Sequence, residues 1–289
     1  FTGLRGANLI PKHSYTGKVQ NKVMTEKILI TGAEGTVGAA AGKYLTEEGF
    51  EVVGVGLEEC DETCYTRIHS LDLTESSSKD KLADLLEDVD AVFHLAWNLS
   101  RENFDTESSW EGNMKMFENA LEASKEAGVD VFINGSSIHA GTGDISAYTK
   151  DSSLEETPQP YRKSIDPETS FDLRKQKPSK LLDPRAENPD SPYGESKIKT
   201  EHKTREAVQQ DEIKTGVSIR IGGVNSEDQE TQEGEPYYST LYLSHKDLGR
   251  TVKHIVEKGQ NMNGYYQIYG VSDNKGRVFD IENPFIGEH

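Results

Sequence analysis

The sequence predicts an α/β protein, a doubly wound parallel sheet, on three observations. A short apolar run, Ile28-Leu29-Ile30-Thr31, breaks into glycines at three-residue spacing, Gly32, Gly35 and Gly38, and then into an alanine-rich helical stretch. A second apolar run, Glu51-Val52-Val53-Gly54-Val55, follows that helix after Gly49, as a βαβ unit requires. The alternation of apolar runs with helical spacing then repeats down the chain, which places ligands at the C-terminal ends of the strands.

Each element has its own signal. Gly32 allows a tight reversal, Gly35 lets backbone approach a pyrophosphate, and Gly38 lets the helix pack closely on the strand. The helix over Thr36 to Glu48 would turn its first N–H groups and its dipole, at Thr36 and Val37, toward phosphate. Ser70-Leu71-Asp72-Leu73 reads as a short strand end, Lys79 to Leu86 as a helix, and Val89 to Ala96 as a strand buried on both faces. Ser108 to Ala127 is a helix stopped by Gly128, and Val129 to Asn134 is a strand that runs into Gly135-Ser136-Ser137. Order returns in a helix from Tyr193 to Gln210, opened by Ser191-Pro192, and in a strand from Gly216 to Ile221. A helix opening at Tyr242 and reaching Glu257, and a strand from Gly264 to Tyr269, complete the pattern.

Two stretches break it. From Ile138 to Pro192 prolines, serines and threonines gather without periodicity, which predicts a long loop or lid insertion over 138–192. Residues 1–23 carry Arg5, Lys12, Lys18 and Lys22 with no acidic residue, and Met24 stands just before the first strand. They are expected to be a disordered or added leader, with 24–289 forming one domain.

Fifty acidic against thirty-two basic residues give a formal charge of −18, which repels nucleic acid and anionic membrane alike. The hydrophobic fraction of 34% is low but enough for a core, and no window holds the ~18 consecutive apolar residues of a membrane helix. Cytoplasm is the expected compartment. The charge suits a halophilic cytoplasm as well as an ordinary acidic enzyme. Cys60 and Cys64 are too few for a structural zinc site and read as free thiols; no metal is expected.

Tyr193-Gly194-Glu195-Ser196-Lys197 sets a phenol and an ammonium at i and i+4 on one helix face. An ammonium beside a phenol favours the phenolate, so the tyrosine is expected to take a hydroxyl proton near neutral pH. Alone the spacing is also that of an ordinary surface pair. Here it follows a glycine-rich βαβ start and a Ser-Ser at a strand end, in that order.

With these motifs the sequence resembles the extended short-chain dehydrogenases/reductases, the NAD-dependent epimerase/dehydratase family. Gly135-Ser136-Ser137-Ile138-His139, Ile219-Arg220-Ile221-Gly222, Tyr242-Leu243-Ser244 with Asp247, and Tyr269-Gly270-Val271-Ser272 bring it nearest to uronate dehydrogenases and related archaeal sugar dehydrogenases. The resemblance implies a Rossmann-type sheet with a small C-terminal substrate-binding region, and NAD or NADP as cofactor. It implies that Gly32, Gly35, Thr36, Val37 and Gly38 line the pyrophosphate, that Asp72 and Leu73 flank the adenine, and that Leu95, Ala96 and Trp97 pass beneath the cofactor. Ser137, Tyr193 and Lys197 would form the catalytic set, with Asn113 in a proton relay. Ser100, His139, Gly223 and Tyr237 would lie on the substrate side, although His139 reads equally well as a loop histidine.

Two departures bear on specificity. The arginine that would hold a uronate carboxylate is replaced, with Tyr237 nearest to its place. The acid expected at the tip of the second strand falls at Gly56, which admits a 2′-phosphate, whereas Glu58 and Glu59 would repel one. Pro160 to Arg185 is net positive and could hold a phosphate as a lid or be a solvated loop. The expected activity is oxidation of the anomeric hydroxyl of an aldose or aldose phosphate, such as glucose 6-phosphate, to a lactone. A nucleotide-sugar epimerase/dehydratase and a non-catalytic NAD(P)-binding sensor are the alternatives. The expected partners are a small-molecule sugar and a second copy of the chain in a dimer, with neither nucleic acid nor membrane.

Overall fold

A computed structural model of the chain describes residues 26–58, 62–99, 110–143, 181–230, 240–274 and 277–286. Its centre is one parallel sheet of seven strands: β1 (Lys27–Thr31), β2 (Glu51–Gly56), β3 (Arg67–Ser70), β4 (Ala91–His94), β5 (Val131–Ser137), β6 (Thr215–Ile221) and β7 (Gly264–Gly270). Their spatial order is β3-β2-β1-β4-β5-β6-β7. The chain therefore winds from β1 to one edge, returns to β4, and winds to the other. The reversal between β1 and β4 opens a crevice at their C-terminal ends, as in Rossmann-type sheets.

Among the described residues five helices cover both faces: α1 (Thr36–Glu47), α2 (Ser78–Leu85), α3 (Trp110–Ala127), α4 (Pro192–Gln209) and α5 (His245–Gly259). Ile28, Ile30, Phe93, Val131 and Ile133 pack toward α1 and α5, with Leu45, Val252 and Ile255. Leu29, Val92 and Phe132 point the other way, toward α2, α3 and α4, with Leu82, Phe117 and Ala207. Successive strand residues thus enter opposite cores, which is why the strands read as unbroken apolar runs. A third apolar cluster, built from Ile138, Leu182, Leu241, Tyr269, Val278 and Phe279, gives the small C-terminal region a core of its own beside the sheet.

Four boundaries differ from the sequence expectation, the first being β3, which ends at Ser70 so that Leu71-Asp72-Leu73, expected as strand, follow outside it. The last helix begins at His245 because the hydroxyl of Ser244 accepts the Asp247 N–H at 3.0 Å. Tyr242 and Leu243 instead run extended, with Leu243 N–H donating to Gly223 O at 2.8 Å. β5 continues through Ser137, which carries both serines to the mouth of the crevice. β4 is shorter than expected and ends at His94.

The leader 1–23 and residues 144–180 of the insertion lie outside the described residues, as do Cys60, Ser100 and Tyr237. The two described ends of the insertion are tied together: Asn188 N–H donates to Ala140 O at 3.0 Å, and Gly143 N–H to Asn188 O at 2.8 Å. No helix among the described residues is long and apolar enough to cross a membrane.

Candidate active site

The C-terminal ends of the strands frame a cleft of about 680 Å³. Its floor is the glycine loop. Gly32 has φ +69°, and a Cβ there would stand 2.8 Å from Ala96 N. A Cβ on Gly38 would overlap Gly32 O, so this turn admits no side chain at either position. The loop is held from below by Tyr65, whose ring packs against Gly42 and Gly54 and whose hydroxyl donates to Ala33 O at 2.8 Å. α1 starts at Gly35 without a side-chain cap, which leaves its first N–H groups as donors for an anion at the cleft.

Beside it, the hydroxyl of Thr31 accepts the N–H groups of Leu95 and Ala96 at 3.1 and 3.2 Å and bonds His94 Nδ1 at 2.9 Å. One side chain thus fixes the loop after β4 to the end of β1. Leu95, Ala96 and Trp97 consequently line the cleft together with Gly32, Gly35, Thr36, Val37 and Gly38.

At the far end stand Ser137, His139, Tyr193, Lys197 and Gly223. α4 is opened by Ser191, whose hydroxyl accepts the Gly194 N–H at 3.2 Å, and by Pro192 in its first turn. Tyr193 and Lys197 follow one turn apart. The Lys197 ammonium donates to Gly135 O at 2.9 Å and lies 3.6 Å from the centre of the Trp97 ring, with the Tyr193 ring centre at 5.7 Å.

Burial pulls the lysine down to about 7 against the attraction of Glu201. Burial likewise pushes the Tyr193 phenol up to about 12, opposed by its hydrogen bond with Ser137 and reinforced by the charge of Asp190. This reverses the expected direction for the phenol: both groups lie in a water-poor pocket, and desolvation outweighs the neighbouring ammonium.

His139 lines the cleft. Its Nδ1 lies 3.0 Å from the carboxylate of Asp190, and its ring stands edge-on to Tyr193 at 5.6 Å. Asp190 is almost fully buried and also accepts from the hydroxyls of Thr142 and Ser191. The contact of Nδ1 with that carboxylate fixes the plane of the ring where it lines the cleft. Sequence reading missed Asp190; its only signal was the Asn-Pro-Asp-Ser-Pro run ahead of the helix.

Two expected residues turn elsewhere. Both side-chain atoms of Asn113 are spent on the backbone of Asn98, at 2.6 and 3.1 Å, so it clasps the loop after β4 and does not line the cleft. The Asp72 carboxylate accepts from the N–H and hydroxyl of Thr74, which holds it below the usual carboxylate range, while Leu71 and Leu73 face the cleft. Behind β5, an ion pair joins Arg220 to Glu201, both fully buried. Glu201 also accepts from the Ser136 hydroxyl at 2.5 Å and from Gln267 at 2.9 Å.

The model of the NAD dependent epimerase/dehydratase family matches residues 28–235, more than half of the chain. The chain belongs to that family. Solved structures carry the same fold. Uronate dehydrogenase from Agrobacterium tumefaciens is 18% identical with a TM-score of 0.63, covering 89% of this chain and 80% of its own. Glucuronic acid dehydrogenase from Chromohalobacter salexigens is 20% identical with a TM-score of 0.63, covering 90% and 81%. UDP-glucose 4-epimerase from Brucella ovis, in complex with NAD, is 15% identical with a TM-score of 0.59, covering 88% and 78%. A comparison with curated proteins gives no match. The dinucleotide of this family fits the residues present: a glycine cradle that a Cβ would fill, an uncapped helix N-terminus, and an elongated apolar cleft running to the serine and tyrosine.

Proposed function

We propose that this epimerase/dehydratase family member is an NAD(P)-dependent sugar dehydrogenase that oxidises the anomeric hydroxyl of an aldose or aldose phosphate to a lactone. The supporting observation is the convergence of Ser137, His139, Tyr193 and Lys197 at one end of a cleft whose other end is the glycine loop. When bound, the nicotinamide supplies the hydride acceptor. Burial holds the Tyr193 phenol protonated, so it would serve as the base only as its phenolate, taking the substrate's hydroxyl proton as the carbonyl forms. Ser137, already hydrogen-bonded to the phenol, holds the reacting oxygen. Protonated Lys197, anchored on Gly135 O beneath Trp97, favours the phenolate by its charge. His139, oriented by Asp190, would help to shape the sugar side of the cleft. The net-positive stretch Pro160 to Arg185 supplies the charge that a phosphorylated sugar would need.

A screen of aldoses, aldose phosphates and uronates with NAD and NADP, read by absorbance of the reduced cofactor, tests this. Steady accumulation with one class identifies the substrate, and Tyr193→Phe should lower the rate ~10²–10⁴-fold while leaving cofactor affinity nearly intact. Undiminished turnover by the Phe variant would sink the assignment. The second reading, a nucleotide-sugar epimerase, rests on the shared fold with UDP-glucose 4-epimerase. It predicts sugar interconversion without net accumulation of reduced cofactor.

A further inference from the structure

The tip of β2 carries Gly56 where an acid would accept a hydrogen bond from the adenosine ribose. The space beside that glycine is occupied. A Cβ on Gly56 would collide with Oε2 of Glu34, a side chain that reaches over from the glycine loop. Its Oε1 accepts the Leu57 N–H at 3.1 Å, which fastens the carboxylate to the end of β2. Its Oε2 is buried and has no hydrogen-bond partner among the described residues. Glu34, Gly56 and Leu57 all line the cleft, and Lys197, at the opposite end, is the one cation among the described lining residues.

We propose that Glu34 is the acceptor for the adenosine ribose 2′-hydroxyl and that it makes this chain select NAD over NADP. The acid has moved from the strand tip to the glycine loop, and Gly56 is the vacancy that lets it reach the same place. A buried carboxylate oxygen without a donor is costly, and a ribose hydroxyl supplies that donor. A 2′-phosphate supplies only negative charge, against a carboxylate that has no lysine or arginine beside it among the described lining residues, and Glu58 adds to the repulsion. The sequence from Leu57 to Glu62 is equally free of basic residues. The assignment rests on the dinucleotide reading of the cleft and deepens it.

The test uses ADP-ribose and its 2′-phosphate, which probe the adenosine end without the nicotinamide chemistry. Dissociation constants would be measured by calorimetry on the full chain, with thermal melting to confirm that each variant is folded. The wild type should bind ADP-ribose at least tenfold more tightly than the 2′-phosphate. Glu34→Gln, which keeps the shape and removes the charge, should narrow that ratio at least fivefold. Glu34→Ala should weaken ADP-ribose about tenfold, and the double variant Glu34→Ala, Gly56→Asp should recover it by returning the acid to the strand tip. A wild type indifferent to the 2′-phosphate, or a ratio unmoved by Glu34→Gln, would overturn the proposal while leaving the dinucleotide site intact. Binding of neither compound would overturn the dinucleotide reading itself.

Discussion

His94 ends β4 inside the core, with the Phe132 ring stacked at 6.5 Å and the Phe117 ring edge-on at 5.5 Å. Its Nδ1 is bonded to Thr31, its Nε2 has no partner among the described residues, and burial, with the charge of Lys197 behind it, drives its pKa from 6.5 to about 3. The unfolded chain therefore binds a proton that the folded protein refuses. Stability from this group is complete above pH 6.5 and is lost as pH falls toward 3. Between pH 7 and pH 4.5 the difference in proton affinity corresponds to roughly 2–3 kcal/mol of lost stability, out of a total on the order of 4 kcal/mol by pH 3. His94→Asn keeps a polar atom for Thr31 and removes the titration. The variant should be less stable at pH 7 by about 1–3 kcal/mol, because ring contacts are lost. It should then fall less steeply with acid. Urea unfolding of both proteins at pH 7 and pH 4.5 reads the gap, which should close by about 2 kcal/mol or reverse, every other carboxylate and histidine being common to the two. Parallel acid dependence in wild type and variant would refute the claim that His94 is held neutral.

Arg220→Met should cost about 3–5 kcal/mol in urea unfolding, since it strands the Glu201 carboxylate with only Ser136 and Gln267 as donors; a loss below about 1 kcal/mol would show that the ion pair adds little. Gly112→Ala, in the exposed first turn of α3 with open space where its Cβ would stand, should instead stabilise by about 0.5–1 kcal/mol. An unchanged or lower melting temperature would count against that.

The sheet was legible because both of its faces are covered. Ile28-Leu29-Ile30 and Ala91-Val92-Phe93 feed two cores at once, so each strand appears as an apolar block between glycines and turns. The edge strand β3, Arg67-Ile68-His69-Ser70, lacks that block because it is only half buried, and sequence reading caught no more than its end. The start of α5 was misplaced because Tyr242 and Leu243 are as apolar as a helix face, and only the Ser244 cap shows where the helix begins. Spacing correctly brought Tyr193 and Lys197 together but carried no information on their desolvation, which decides the direction of both pKa shifts. Asp190 and Glu34 were illegible for a different reason. Each acts on a partner distant in sequence, His139 and Gly56, and nothing local marks the meeting.

The hydroxyl of Thr31 has a consequence for motion. The amides of Leu95 and Ala96 both end on that one oxygen, and the Ala33 N–H beside it ends on Val55 O at 3.1 Å. The end of β1, which leads into the pyrophosphate loop, and the segment leading to Trp97 are therefore tied to each other, the Leu95 N–H reaching the Thr31 carbonyl as well at 3.2 Å. In hydrogen exchange the two segments are expected to open together, and clearly different opening free energies at Ala33 and Ala96 would refute the coupling. A ligand seated on the glycine loop alone should then slow exchange at Leu95 and Ala96 as well, carrying order from the phosphate end to the wall beside Trp97 and Lys197.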